Sequence, residues 1–218
     1  MKHMKAALFD LDGTLMDTEG QYTLFWTGMG REFLPDVPDF VHAIKGNTMQ
    51  KIWETYFTGR EAERQIIEKE IVSFESQMSF PLIRGAEEFI AELKSNGVKC
   101  AVVTSSDRKK MQNVWEKQPE FMKQFDAVLT AEDFSCSKPH PDPYLKAAAR
   151  LGVDILDCVA FEDAINGLKS AFASGAYTIG LTTENPKEVV APLCHYVISD
   201  FTEINLTQCQ ALLHTTTY

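Results

Sequence analysis

The sequence predicts an α/β protein: a doubly wound parallel sheet interrupted by an all-helical insertion. Three observations predict it. Short apolar runs such as Ala6-Ala7-Leu8-Phe9 and Ala101-Val102-Val103 alternate, beyond residue 85, with amphipathic stretches of helical length, the grammar of β–α units. Between residues 17 and 81 the strand-like runs disappear and only helical spacing is left. Finally, the polar residues able to do chemistry fall where the apolar runs end, which is where open parallel sheets collect their sites.

Taken in order, residues 6–9 read as a short buried strand. From 18 to 33, Tyr22, Phe25, Trp26 and Met29 recur at helical spacing until Pro35 and Pro38 break the run. A second helix is expected over 40–44, stopped by Gly46, with Thr48 as a fresh N-cap. Helices over 49–57 and 61–80 follow, and their aromatic stripe is the core of a small bundle. Residues 81–85 mark the boundary. Helices are then expected over 86–96, 109–117, 143–151 and 164–174, with strands over 98–103, 126–129, 158–161, 176–181 and 195–198. The expected organisation is a core of residues 1–16 and 82–218, with an inserted helical cap over 17–81.

Composition narrows the function. A formal net charge of -10 argues against nucleic acid or an anionic membrane as partner, though not against a small anion held at a local metal site. The five cysteines are scattered and form no Cys-x-x-Cys pair, as expected of reduced thiols in a cytoplasmic protein. The residues following Met1-Lys2-His3-Met4-Lys5 lack a signal-peptide pattern. No apolar run approaches the roughly 20 residues needed to span a bilayer. The histidines are dispersed and make no metal constellation.

Four places carry chemistry. The first run ends in Asp10-Leu11-Asp12-Gly13-Thr14, two carboxylates at i and i+2 that share one face of an extended backbone. A hard cation such as Mg²⁺ would relieve their repulsion, although an ordinary solvated turn uses the same residues. Thr104-Ser105-Ser106-Asp107 ends the next strand and is equally good as a phosphate cradle or as a helix N-cap. In Ser137-Lys138-Pro139-His140-Pro141-Asp142-Pro143 three prolines stiffen the loop around Lys138, where an ammonium can neutralise a phosphoryl group. Glu162-Asp163 closes a further strand, either completing an oxygen-rich Mg²⁺ site or capping a helix. Four such features at four strand ends are far less expected by chance than any one of them.

In this order the motifs Asp10-Leu11-Asp12-Gly13-Thr14, Thr104, Lys138-Pro139 and Glu162-Asp163 resemble the haloacid dehalogenase superfamily of phosphohydrolases. The resemblance covers essentially the whole chain and is greatest to the β-phosphoglucomutase-like and phosphoglycolate-phosphatase-like members with a helical cap. It implies a Rossmann-like core and an aspartyl-phosphate mechanism. Asp10 would be the nucleophile, Asp12 the general acid and base, and Thr104, Ser105 and Lys138 the phosphoryl grip. Asp10, the Asp12 carbonyl and Asp163 would hold Mg²⁺, with Glu162 ligating it directly or supporting a ligand.

By the same resemblance, Lys45-Gly46-Asn47-Thr48 is the substrate-specificity loop. Related mutases carry an Arg where this chain has Met49 and a His where it has Tyr22. Both departures favour hydrolysis. The expected activity is therefore a Mg²⁺-dependent phosphatase of a small phosphorylated metabolite, a sugar or polyol phosphate. The alternatives are a phosphosugar mutase, a pyrophosphatase and a non-catalytic binding module. A monomer whose insertion closes as a lid, through hinges near 14–19 and 79–85, completes the expectation.

Overall fold

The computed structural model describes residues 3–215; the outermost residues of the expected core, 1–2 and 216–218, lie outside it. In chain order the elements are β1 (Ala6–Phe9), α1 (Glu19–Phe33), α2 (Phe40–Ile44), α3 (Met49–Tyr56), α4 (Glu61–Gln77), α5 (Ala86–Ser95) and β2 (Lys99–Val103). Next come α6 (Arg108–Lys117), α7 (Pro119–Met122), β3 (Ala127–Leu129), α8 (Asp142–Leu151), β4 (Cys158–Glu162) and α9 (Ile165–Ser174). The chain closes with β5 (Tyr177–Leu181), α10 (Lys187–Val190), β6 (Tyr196–Ile198) and α11 (Leu206–Thr215).

All six strands are parallel, in the order β3-β2-β1-β4-β5-β6. The reversal of direction beside β1 makes the sheet doubly wound, and a crevice opens at such a switch point. Because side chains alternate across a strand, Phe9, Val102 and Phe161 join one packed layer while Leu8, Ala101 and Ala160 join the other. Both faces are covered, so β1, β2 and β4 read as continuous apolar runs rather than alternating ones. The register is fixed by packing: Phe9 pairs with Val102 on one side and Phe161 on the other, its ring stacked on Phe161 at 4.8 Å. That register brings the residues just past each strand end together.

The insertion folds as α1–α4 around a hydrophobic cluster of its own that includes Trp26, Phe40, Ile44, Trp53, Phe57 and Ile67. Its two connections to the core run side by side. Asp17 N–H donates to the Pro81 carbonyl (2.8 Å) and Ile83 N–H to that of Leu15 (2.9 Å). This pairing explains why α4 stops at Gln77 instead of continuing to 80: the chain must extend to meet residues 15–17, and Pro81 disfavours helix at the residue before it. Three short or late helices, α7, α10 and α11, were not expected. α11 lies beyond the last expected strand, held by buried Leu206, Cys209 and Leu213.

The insertion sits over the carboxyl ends of the strands. Ser105 Oγ donates to the Gly46 carbonyl (3.0 Å), and Asn166 Nδ2 donates to Asn47 Oδ1 (3.2 Å) and to the Lys45 carbonyl (3.4 Å). Lys45 pairs with Glu184 beyond β5 and, at 3.5 Å, with Glu19.

Candidate active site

Asp10 is the first residue past β1, and its N–H donates to the Phe161 carbonyl at 3.0 Å. Glu162 ends β4 next to it, and Thr104 follows β2 with its N–H bonded to the Leu129 carbonyl. Lys138 arrives from a different direction, on the proline loop before α8, where the Lys138–Pro139 peptide is cis. The loop is tied down by Ser170 Oγ, which donates to the His140 carbonyl at 2.6 Å. His140 Nδ1 accepts the Asp142 N–H (3.1 Å), a structural use of that ring.

These strand ends converge on the Lys138 ammonium. It is almost wholly buried and donates to Asp10 Oδ1 (2.6 Å), Glu162 Oε1 (2.5 Å) and the Val103 carbonyl (3.0 Å). Burial alone would lower its pKa, but the two carboxylates outweigh it and the amine is held protonated. Asp10 is pushed up to about 8, chiefly by burial, with Glu162 and Asp12 adding and Lys138 opposing.

Glu162 spends both oxygens on protein donors. Oε1 takes Lys138 and the Tyr144 hydroxyl (2.9 Å), while Oε2 takes the backbone N–H groups of Asp163 (3.1 Å) and Ala164 (3.2 Å). A Cβ on Gly167 would stand 1.8 Å from Oε1, so only glycine leaves room for this carboxylate. Asp163 differs. Its Oδ1 accepts from Thr14 Oγ1 (2.8 Å), but its Oδ2 is buried with no hydrogen-bond partner among the described residues. Gly13, at φ 78°, is what admits it: a Cβ there would lie 2.1 Å from Oδ2. Burial, together with Glu162, Asp10 and Glu19, drives the Asp163 carboxyl well above the usual range.

An orphaned buried carboxylate oxygen is costly unless something binds it. Ligand oxygens of Asp10, Glu162 and Asp163 lie within 4.8 Å of one another. This all-oxygen, anionic set fits a hard divalent cation, and a bound cation would reverse the electrostatics that now raise both aspartates.

Asp12 sits beyond Asp10 with both oxygens engaged. Oδ1 accepts from Thr18 Oγ1 (2.5 Å); Oδ2 accepts from Ser106 Oγ (3.0 Å) and the Lys110 ammonium (2.5 Å). Burial would raise its pKa, but Lys110 and these hydrogen bonds win, holding the carboxyl below its ordinary value. Thr104 Oγ1 accepts the Ser106 N–H at 3.0 Å, the turn that opens α6.

Of the expected specificity loop, Lys45, Gly46 and Asn47 line the cavity with Thr104, Ser105 and the carboxylates, whereas Thr48 caps α3 through Lys51 N–H (3.2 Å) and faces a neighbouring groove. Among the aromatic residues of the insertion, Trp26 lines the cavity while Trp53 and Tyr56 serve its own core. The sequence reading passed over Lys110, Glu75, Tyr144 and Glu19. Lys110 had no local signal, being one of two adjacent lysines in a helix whose buried face depends on the placement of the insertion. Tyr144 could have been noticed one turn into the helix after the proline loop.

A family model for haloacid dehalogenase-like hydrolases matches residues 4–175. Validoxylamine A 7'-phosphate phosphatase of Streptomyces hygroscopicus subsp. limoneus is 28% identical, over 92% of this chain and 95% of that protein. Hexitol phosphatase B of Escherichia coli K12 is 28% identical over 79% of this chain and 81% of its own. Among solved structures, a family IA, variant 3 hydrolase from Entamoeba histolytica superimposes with a TM-score of 0.84 at 27% identity, covering 97% of this chain and all 100% of the other. With the four motifs gathered at the strand ends and this match along most of its length, the chain belongs to the haloacid dehalogenase-like hydrolases.

Proposed function

We propose that this protein is a Mg²⁺-dependent phosphatase that hydrolyses a small phosphorylated sugar or polyol through an aspartyl phosphate on Asp10. The observation that carries the proposal is the Lys138 ammonium between Asp10 and Glu162, with the unpartnered Asp163 Oδ2 beside it. The relatives named for phosphatase activity on such substrates support it.

In this reading Asp10 and Asp163 hold Mg²⁺, and Glu162, its oxygens already taken, fixes Lys138. The ion supplies charge neutralisation for the phosphoryl oxygens. The Asp10 carboxylate attacks phosphorus in line as the ester oxygen departs, and water then attacks the acyl phosphate, returning Asp10 and releasing phosphate. Lys138, the Thr104 hydroxyl and the backbone amides near Leu11 and Ser105 bind the phosphoryl oxygens as charge moves onto them. Asp12, kept ionised by Thr18, Ser106 and Lys110, is ready to take the proton of the attacking water. Giving a proton to the leaving oxygen requires Asp12 first to release Lys110 and take up a proton from solvent, so that step belongs to a rearranged, protonated carboxyl. Closure of the insertion, with Lys45, Gly46 and Asn47 at its edge, keeps bulk water from the intermediate.

Hydrolysis is favoured over phosphosugar isomerisation by two side chains. Met49 faces the cavity where a second phosphate would need a cation, and the Tyr22 hydroxyl turns to Glu75 rather than to Asp12. The same reading makes the protein a cytoplasmic monomer, consistent with its free cysteines, its net charge of -10 and the absence among the described residues of any helix long and apolar enough to cross a membrane.

The test is Mg²⁺-dependent phosphate release from a panel of sugar and polyol phosphates. The panel includes β-glucose 1-phosphate with a trace of the bisphosphate, assayed for glucose 6-phosphate. Phosphate release that falls about 10³-fold or more in Asp10→Asn is expected. Isomerisation without release would overturn the reading in favour of a mutase.

A further inference from the structure

The cavity above the catalytic residues, about 140 Å³, has two unlike halves. Its floor is the charged cluster at the strand ends. Its roof, from the insertion, is mostly apolar, with Trp26, Val41, Ile44, Met49 and Ile52 facing inward. Two carboxylates interrupt that roof: Glu19, which pairs with Lys45, and Glu75. Glu75, on α4, is only 8% exposed, and among the described residues its one protein hydrogen bond comes from the Tyr22 hydroxyl, which donates to Oε1 at 2.8 Å. A carboxylate can accept about four hydrogen bonds, so Glu75, facing the cavity with a single protein donor, has acceptor capacity left for a ligand.

The cations of the cavity wall already have carboxylate partners. Lys45 pairs with Glu184 and Glu19. Lys110 pairs with Asp12, lies 4.4 Å from the centre of the Tyr22 ring and attracts Glu75 only from beyond hydrogen-bond distance. Lys109 is exposed. A leaving group ending in a second phosphate or a carboxylate would meet the Glu75 carboxylate, and like charges repel. One ending in hydroxyls would supply the missing donors while its C–H surface covers Trp26 and Ile52.

We propose that Glu75, oriented by Tyr22, is the specificity-determining residue of the leaving-group pocket, accepting hydroxyl donors of a polyol or sugar monophosphate and rejecting substrates with a second anion. The proposal rests on the phosphatase reading above and adds the end of the substrate that is not transferred. Glu75 makes no hydrogen bond to Asp10, Asp12, Glu162 or Asp163. It acts on binding of the alcohol and not on the chemical step.

The experiment compares Glu75→Leu and Glu75→Gln with wild type on three probes: sorbitol 6-phosphate, fructose 1,6-bisphosphate and p-nitrophenyl phosphate, which has no hydroxyl donor. In Glu75→Leu the KM for sorbitol 6-phosphate should rise about tenfold, the scale of a lost charge-assisted hydrogen bond, with kcat and both constants for p-nitrophenyl phosphate within about twofold of wild type. Glu75→Gln, which keeps an acceptor but removes the charge, should keep most of the affinity for sorbitol 6-phosphate and narrow its advantage over the bisphosphate. Equal losses on sorbitol 6-phosphate and p-nitrophenyl phosphate would overturn the proposal by showing a structural role. An unchanged KM for sorbitol 6-phosphate, or a wild type that prefers the bisphosphate, would also overturn it. If wild type hydrolyses none of the three, the phosphatase reading fails, and this proposal with it. Mg²⁺-dependent hydrolysis of sorbitol 6-phosphate with no dependence on Glu75 sinks this proposal alone.

Discussion

The two ends of the same sheet treat charge in opposite ways. At the amino ends of the strands, Lys5 pairs with Asp157 at 2.8 Å and Lys94 with Asp126 at 2.7 Å, all on or near the surface. Water screens these pairs, and the fold would survive without them. At the carboxyl ends, Asp10, Lys138, Glu162 and Asp163 are all buried. Burying four charged groups together is expensive, and an apolar cluster would stabilise the fold better. The comparison teaches where selection has accepted an energetic cost for chemistry. The same residue types at one end are ordinary surface decoration and at the other form the proposed site.

The largest expected effect comes from removing the buried cation. Lys138→Met leaves Asp10 and Glu162 facing one another without their ammonium, a loss of about 3–5 kcal/mol of stability if the pair behaves as buried pairs do, together with loss of turnover. Lys5→Met, at the other end of β1, should leave the denaturant midpoint unchanged within error. Equal midpoints for Lys138→Met and wild type would erase the contrast between the two ends.

Next in size is the response to Mg²⁺. The orphaned Asp163 Oδ2 predicts that metal binds the folded chain and not the unfolded one. At a hundredfold excess over Kd, Mg²⁺ should stabilise wild type by about 2.7 kcal/mol, or roughly 5–10 °C in Tm for a chain of this size, and EDTA should reverse it. In Asp163→Asn, the response should vanish while the metal-free protein is no less stable, because the substitution keeps the oxygen that accepts from Thr14 and removes only the oxygen that has no partner. A metal-free Asp163→Asn clearly less stable than wild type would show that the carboxylate is already satisfied without a cation.

This contrast also explains what was legible in the sequence. The candidate site at the carboxyl ends was readable because each strand announces its own end: an apolar run stops at Asp10, Thr104 or Glu162. Lys138 was readable from the prolines around it. The sheet was readable because both of its faces are covered, so each central strand is one unbroken apolar run. Lys110 and Glu75 were not, since each matters only through a partner far away in the chain: Asp12 for one, 98 residues earlier, and Tyr22 for the other, 53 residues earlier. No local pattern records which face of α4 or α6 meets the cavity. α10 and α7 are single turns with too few residues to show a period, and α11 was passed over because no strand follows it.

A smaller effect tests the support beneath the site. Tyr144, fully buried on α8, gives its hydroxyl to Glu162 Oε1, which also carries Lys138. Tyr144→Phe removes one of four donors to Glu162 and should cost about 1–2 kcal/mol. If Glu162 is a positioning group, kcat should fall several-fold with KM nearly constant, since the ammonium it steadies acts on charge that grows in the transition state. A rise in KM with kcat intact would move Glu162 from positioning Lys138 to binding ground-state substrate.

The smallest effect belongs to the amino end and to pH. His195 precedes β6, its ring between those of Phe172 (4.8 Å) and Tyr177 (4.7 Å), with Nδ1 accepting the Thr178 N–H at 2.9 Å. Burial lowers its pKa from the ordinary value of 6.5, because a charged ring there would lose solvation. The sign follows directly. Above pH 6.5 the ring is neutral in both states and the group contributes no slope. Below it the unfolded chain takes up the proton first, so stability falls with pH until the folded ring is protonated too. One group can impose at most about 1.4 kcal/mol per pH unit, and the window is the narrow interval beneath 6.5. The difference in unfolding free energy between wild type and His195→Gln should therefore be flat from pH 7 to 8 and change only below 6.5, with wild type losing ground. Carboxylates common to both proteins cancel in that difference. A difference that stays flat to pH 5 would mean that the stacked ring is protonated as easily in the fold as outside it, and that this end of the sheet too can hold a charge among its rings.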